Sequence, residues 1–243
     1  MATLNQNVEV LADQSALIER AREIVLSRIQ PAIEEKGQFT IVLSGGSTPK
    51  PLYEALANES LPWSKIHVFW GDERYVPATH QDSNQLMARQ AWLDKIELPA
   101  SNIHQMNTTA GDPQQDAQQY EAELSKFFAT EAEFPTFDLI LLGMGDDGHT
   151  ASLFPQTEVL EISDRWVAVG NKDGQPRLTF TVPLINQADC VLFIVAGENK
   201  RPALKQIFAL QADPRQYPSR LIKPQGELIW LLDRAAGEGL SNL

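Results

Sequence analysis

Between Gly143 and Ser152 the chain reads Gly-Met-Gly-Asp-Asp-Gly-His-Thr-Ala-Ser. Three glycines bracket two carboxylates and a histidine. An imidazole with a carboxylate two residues away, His149 with Asp147, has the elements of an oriented general base near neutral pH. Other readings fit the same residues. Asp147 could be a cap and His149 a satisfied turn residue. Asp146, Asp147 and His149 could ligate a metal, but no second cluster of His, Cys or carboxylate completes a coordination set. No metal and no cofactor is therefore expected.

A second stretch, Ser44-Gly45-Gly46-Ser47-Thr48-Pro49, suits an anion. Two glycines permit tight backbone geometry and close ligand approach. Free N–H groups at a helix start, the hydroxyls of Ser47 and Thr48, and the helix dipole would suit a phosphate. The spacing is neither a Walker A loop nor G-x-G-x-x-G. The plainer reading is a glycine-rich turn leading into a capped helix.

Gly71-Asp72-Glu73-Arg74 sets acid and base side by side. This is either a surface ion pair or a means of presenting Arg74 to an anionic or carbonyl oxygen. Lys200, after Gly197-Glu198-Asn199, and Arg177 could each contribute a cation to a phosphate. Either could equally be a solvated surface charge. His67, in a strand pattern, reads as structural, and His80 could reach a site rim. His104 lacks a comparable setting. Cys190 opens an apolar run and reads as a core residue.

These residues need elements to position them. Leu17, Ile18, Ala21, Ile24, Val25, Ile29 and Ile33 recur at helical spacing, predicting an amphipathic helix over about Ser15–Glu35 capped by Asp13 or Ser15. Phe39–Leu43 reads as a buried strand, with Pro49 at the start of the following helix. Further strands are expected at Ile66–Trp70, Phe137–Leu142, Trp166–Val169, Leu178–Val182, Val191–Ala196 and Leu228–Leu232. Helices are expected at Asn84–Lys95, Asp112–Glu133, after Lys200 and at Asp233–Gly239, and a surface turn at Asn171–Pro176. Alternating strands and helices argue for an α/β fold, a mostly parallel central sheet with helices on both faces. In such sheets ligands bind beyond the carboxyl ends of the strands. Ser44–Thr48, Gly71–Arg74, Gly143–His149 and Gly197–Lys200 all fall at such ends.

The bulk composition narrows the partners. The 243 residues are 43% hydrophobic and carry a net charge of -12, with no linker, repeat or low-complexity tract. One domain over residues 1–243 is the simplest organisation. The acidic balance speaks against nucleic-acid and anionic-membrane binding. A small anionic substrate would need some of the 20 Lys and Arg residues gathered locally. A single cysteine and a Met1–Val10 stretch without signal-peptide character lead to the expectation of a cytoplasmic protein. It is expected to act as a monomer.

Five stretches in order, Leu43–Leu56, Val68–Asn84, Phe137–Pro155, Arg177–Val182 and Gly197–Lys200, resemble the 6-phosphogluconolactonase family. Any one is a weak signal, but the ordered set is specific and spans the chain from about Phe39 to the last strand. The resemblance implies a Rossmann-like α/β fold and hydrolysis of 6-phospho-D-glucono-1,5-lactone to 6-phospho-D-gluconate, in the oxidative branch of the pentose phosphate pathway. The glucosamine-6-phosphate deaminases/isomerases share these motifs. They carry a tyrosine where this chain has Arg74, and an Asn-Glu-Pro ending where it has Leu153-Phe154-Pro155. Both departures favour the lactonase. A non-catalytic sugar-phosphate-binding protein is a third reading, without a DNA-binding module to support it.

Carried onto this chain, the resemblance implies that Ser44, Gly45, Gly46, Ser47 and Thr48 hold the 6-phosphate with help from Arg177 and Lys200. It implies that His149 takes a proton from the attacking water, with Asp147 orienting the imidazole and Arg74 meeting the oxyanion. Asp72 is expected to position its neighbours rather than act as a base.

Overall fold

The computed structural model describes residues 7–130 and 132–240. The first six residues of the Met1–Val10 stretch lie outside them.

A short strand, β1 (Asn7–Leu11), leads into α1 (Gln14–Lys36). Asp13 caps that helix by accepting from the Ala16 amide at 2.9 Å, and Gly37 ends it at φ 78°. The apolar stripe places Leu17, Ala21, Ile24, Val25 and Ile29 in the core. Next come β2 (Phe39–Leu43), α2 (Lys50–Leu56), β3 (Ile66–Trp70) and β4 (Asp72–Arg74). They are followed by α3 (Asn84–Ala91), β5 (Ile103–His104), α4 (Pro113–Phe128) and β6 (Leu139–Leu142). A hairpin, β7 (Val167–Lys172) and β8 (Gln175–Phe180), precedes α5 (Val182–Asn186) and β9 (Cys190–Val195). The chain closes with α6 (Arg201–Ile207), β10 (Glu227–Asp233) and α7 (Arg234–Gly237).

Seven strands form one sheet in the order β1-β10-β9-β6-β2-β3-β5, and every pairing is parallel. All residues of β2, β6 and β9 are buried, as strands covered on both faces must be. From β2 the chain adds β3 and β5 on one side, then crosses to add β6, β9 and β10 on the other. The β2/β6 boundary is therefore a topological switch point, where the following loops part and leave a crevice.

The remaining strands depart from the sequence reading. β7 and β8 do not join the large sheet. They form a separate antiparallel sheet, β4-β8-β7, with α4 against it. The Gly71-Asp72-Glu73-Arg74 motif is thus itself partly a strand. Gly71 links the sheets: its N–H donates to Leu43 O at 3.0 Å, and its carbonyl accepts from Phe180 N at 2.7 Å. The expected Asn171–Pro176 turn shrinks to Asp173-Gly174, both at positive φ (53° and 82°). The Asn84–Lys95 helix ends at Ala91, with a 3-10 turn at Leu93–Lys95. The expected Asp112–Glu133 helix stops at Phe128, where Ala129 takes a left-handed φ of 44°. β1, β5 and α5 had no counterpart in the sequence reading.

Candidate active site

A cavity of about 230 Å³ opens at the switch point. It is lined by the turn after β2, the loop after β6, and side chains from the small sheet. Of the residues singled out in the sequence, Ser44, Gly45, Gly46, Ser47, Thr48, Asp72, Arg74, His149, Arg177 and Lys200 all border it. Asp147 does not; it stands behind His149.

The loop after β6 holds His149 by several short contacts. Gly145 N–H donates to His149 O at 2.8 Å, and Gly148 N–H to Gly145 O at 3.0 Å. A Cβ on Gly145 would overlap the His149 ring, so only glycine lets the imidazole lie there. Asp147 Oδ1 accepts from the His149 backbone N–H at 3.1 Å and lies 2.6 Å from His149 Nδ1. This assigns the proton to Nδ1 and leaves the Nε2 lone pair free to accept one. Burial pushes the Asp147 carboxyl up, but the hydrogen bonds from His149 outweigh it and hold the group down at about 2. Asp147 is thus a carboxylate throughout the neutral range. From below, Ser219 donates both its N–H (3.0 Å) and its Oγ–H (2.9 Å) to Gly148 O.

The turn after β2 is built for close approach. A Cβ on Gly45 would overlap the Asn84 side chain, and Gly46 sits at φ 101°. Tyr53 OH donates to Ser44 O at 2.8 Å and accepts from Ser44 N–H at 3.1 Å, which fixes the turn. Ser44 Oγ is buried at the cavity wall without a hydrogen-bond partner. The helix that follows has only seven residues, so its dipole is short and the turn's amides and hydroxyls are the main groups there that could meet an anion.

Two arginines face each other across the small sheet: Arg74 of β4 pairs in register with Arg177 of β8. Arg74 Nη1 donates to Asp82 O, while its buried Nε has no partner. Burial and the neighbouring Arg74 charge pull the Arg177 guanidinium below its ordinary value. Two adjacent guanidiniums repel, and an anion between them relieves that repulsion. An acidic protein thus concentrates cations at one place.

Lys200 departs from the sequence reading. Its Nζ lies 2.5 Å from Asp146 Oδ1, which Asn199 also contacts at 2.9 Å. Lys200 borders the cavity but is ion-paired. Asp146, considered above as a metal ligand, is occupied by this cation instead. His80 does not border the cavity, His67 packs on His104 at 5.4 Å between ring centroids, and Cys190 is a buried free thiol.

Sequence reasoning missed a polar frame beneath the cavity. Asp72 is 7% exposed; its Oδ2 accepts from Ser152 Oγ at 2.8 Å, and its backbone O accepts from Asn84 Nδ2 at 2.9 Å. Glu73 is 1% exposed and accepts four hydrogen bonds, from the amides of Arg74, Asn84 and Gln85 and from Ser83 Oγ, at 2.7–3.0 Å. Burial moves its carboxyl above the ordinary range against the pull of those donors. The available signal was the Ser83 cap ahead of Asn84, ten residues after an acid.

The fold and the cavity define an α/β protein with an anion-adapted site at the switch point of a parallel sheet. The chain belongs to the glucosamine-6-phosphate isomerases/6-phosphogluconolactonase family, whose model matches residues 12–230. It is 66% identical to the 6-phosphogluconolactonase of Synechocystis sp., over 96% of this chain and 98% of that one. Identity to the Nostoc sp. 6-phosphogluconolactonase is 60%, over 98% and 100% of the two chains. The solved 6-phosphogluconolactonase of Trypanosoma cruzi superposes with a TM-score of 0.87 at 28% identity, covering 99% and 98%. Among the described residues, no helix is long and apolar enough to cross a membrane.

Proposed function

We propose that this chain hydrolyses 6-phospho-D-glucono-1,5-lactone to 6-phospho-D-gluconate, in the oxidative branch of the pentose phosphate pathway. The observation that carries the reading is the Asp147–His149 pair at 2.6 Å, on the rim of a cavity lined by Arg74 and Arg177. That sets a base beside two cationic side chains in one cavity of about 230 Å³.

In this reading the Ser44–Thr48 turn, Arg177 and Lys200 hold the 6-phosphate, Lys200 exchanging Asp146 for it. A water attacks C1 as His149 Nε2 takes its proton, and Asp147 stabilises the imidazolium. The carbonyl oxygen gains the negative charge, and Arg74 offers the guanidinium that meets it. Collapse re-forms the carbonyl and breaks the bond from C1 to the ring oxygen, which takes the proton back from His149 and leaves as the C5 hydroxyl. The resulting acid loses a proton to solvent. These side chains complete the cycle without a covalent intermediate.

The deaminase reading has no supporting contact. At the position where its relay glutamate would stand, Phe154 offers no carboxylate. We place the activity in one domain, acting as a monomer in the cytoplasm. The buried free thiol of Cys190 suits a reducing compartment. The test is lactone hydrolysis at controlled pH with an uncatalysed blank, alongside ammonia release from glucosamine 6-phosphate. Hydrolysis well above the blank without ammonia supports the lactonase; ammonia release without lactone turnover reverses the assignment.

A further inference from the structure

His149 has one hydrogen bond to its ring, and a single hydrogen bond lets a ring tilt about it. Besides the Gly145 backbone, the ring packs on Phe154. Its ring centroid lies 4.7 Å from that of the imidazole, at an interplanar angle of 51°. Four residues lie between the two, and a tight turn brings them together. Leu153 N–H donates to Thr150 O at 3.0 Å, and Ala151 accepts a left-handed φ of 47° to close that turn. Thr157 Oγ donates to Phe154 O at 2.7 Å and ties the far side. Phe154 is only 6% exposed and packs behind the cavity-lining His149.

The cover over Phe154 comes from the small sheet. Lys172, at the end of β7, sets its Nζ 5.6 Å from the Phe154 ring centroid. That strand is keyed to the same loop. A Cβ on Gly170 would overlap Ser152 O, and Ser152 N–H donates to Thr179 Oγ at 3.2 Å. Ser152, fully buried, also donates to Asp72. The hairpin that carries Arg177 into the cavity thus also clamps the wall beside His149.

We propose that Phe154 is a positioning residue for lactone hydrolysis: its ring, held under Lys172, fixes the tilt of the His149 imidazole so that Nε2 stays aimed into the cavity. The proposal rests on the reading of His149 as the base. Phe154 packs on the proposed base and does not line the cavity, so its loss is expected to act on kcat and not on substrate binding. Misplacing a reacting atom by about 1 Å costs roughly a hundredfold in rate. A partly restrained ring loses less, about tenfold.

The test compares Phe154→Leu, Phe154→Tyr and His149→Ala in blank-corrected lactone hydrolysis. Thermal unfolding of each variant establishes that it is folded at the assay temperature, and nitrogen-15 NMR of the histidine side chains reads the His149 tautomer. Phe154→Leu is expected to lower kcat about tenfold with KM within twofold, and to blur the single Nδ1–H signature. Phe154→Tyr, which restores a flat ring, is expected to recover kcat to within threefold. A folded Phe154→Leu with kcat within twofold of wild type, or an equal loss in Phe154→Tyr, overturns the proposal while His149→Ala remains inactive. If His149→Ala itself keeps wild-type kcat, the base assignment falls and this proposal with it.

Discussion

Asp147 Oδ1 lies 2.6 Å from His149 Nδ1 and also accepts the His149 backbone N–H. One carboxylate oxygen thus fixes both the ring and the main chain of the proposed base. Asp147→Asn removes the charge that stabilises the imidazolium and can present an N–H to Nδ1, favouring the wrong tautomer. The expected result is a kcat about a hundredfold lower with KM within threefold, read from blank-corrected initial rates.

The same pair gives a stability signature in acid. Asp147 is held at about 2 in the fold against an ordinary 3.8. Its contribution to stability is fully present above the unfolded value and is lost as pH falls through about 2. The difference in Tm between wild type and Asp147→Asn should therefore shrink steadily between pH 5 and 2. A constant difference across that range would contradict the pairing.

Arg177→Ala should raise KM at least tenfold and change kcat by less than threefold, because the guanidinium is proposed to hold the non-reacting phosphate. Tenfold corresponds to about 1.4 kcal/mol, at the lower edge of what a hydrogen bond to a charged group contributes, roughly 1.5–3 kcal/mol. Lys200→Ala should raise KM less, since Lys200 must first leave Asp146. Steady-state kinetics at fixed ionic strength reads both.

Glu73→Ala strips four donors of their acceptor under the segment from Arg74 to Gln85. Unsatisfied buried amides cost about 1–3 kcal/mol each before relaxation. A net loss of about 3 kcal/mol in denaturant unfolding is expected, with Arg74 displaced and kcat reduced in the fraction that folds.

His67 offers a test away from the cavity. Burial, then the neighbouring His104, holds it down at about 4, against an ordinary 6.5. Between those values the unfolded chain binds a proton that the folded one refuses, so stability falls as pH drops from 6.5 to 4. His67→Gln should flatten the Tm-against-pH curve in that window.

The large sheet was legible because its central strands are continuous apolar runs, each ended by a glycine-containing turn. Ser44–Thr48, Arg74 and His149 were legible because they follow the ends of those runs. The small sheet was not. Strand pattern marks Trp166–Val169 and Leu178–Val182 as extended, but shows neither the longer strands Val167–Lys172 and Gln175–Phe180 nor that Gln175–Phe180 pairs with Asp72–Arg74 instead of the main sheet. The two-residue β5 is too short to carry a period. Asn84, Ser152 and Glu73 act through partners as many as 80 residues away, so their roles follow from tertiary contact alone. Lys200 borders the cavity, but its pairing with Asp146 spans 54 residues and left no local trace.

The central claim is that His149 supplies the base for water at the lactone carbonyl. Blank-corrected hydrolysis of 6-phosphogluconolactone by folded His149→Ala at saturating substrate tests it most directly. The account predicts a kcat at least a hundredfold below wild type with KM little changed. A His149→Ala enzyme that keeps the wild-type kcat would contradict it.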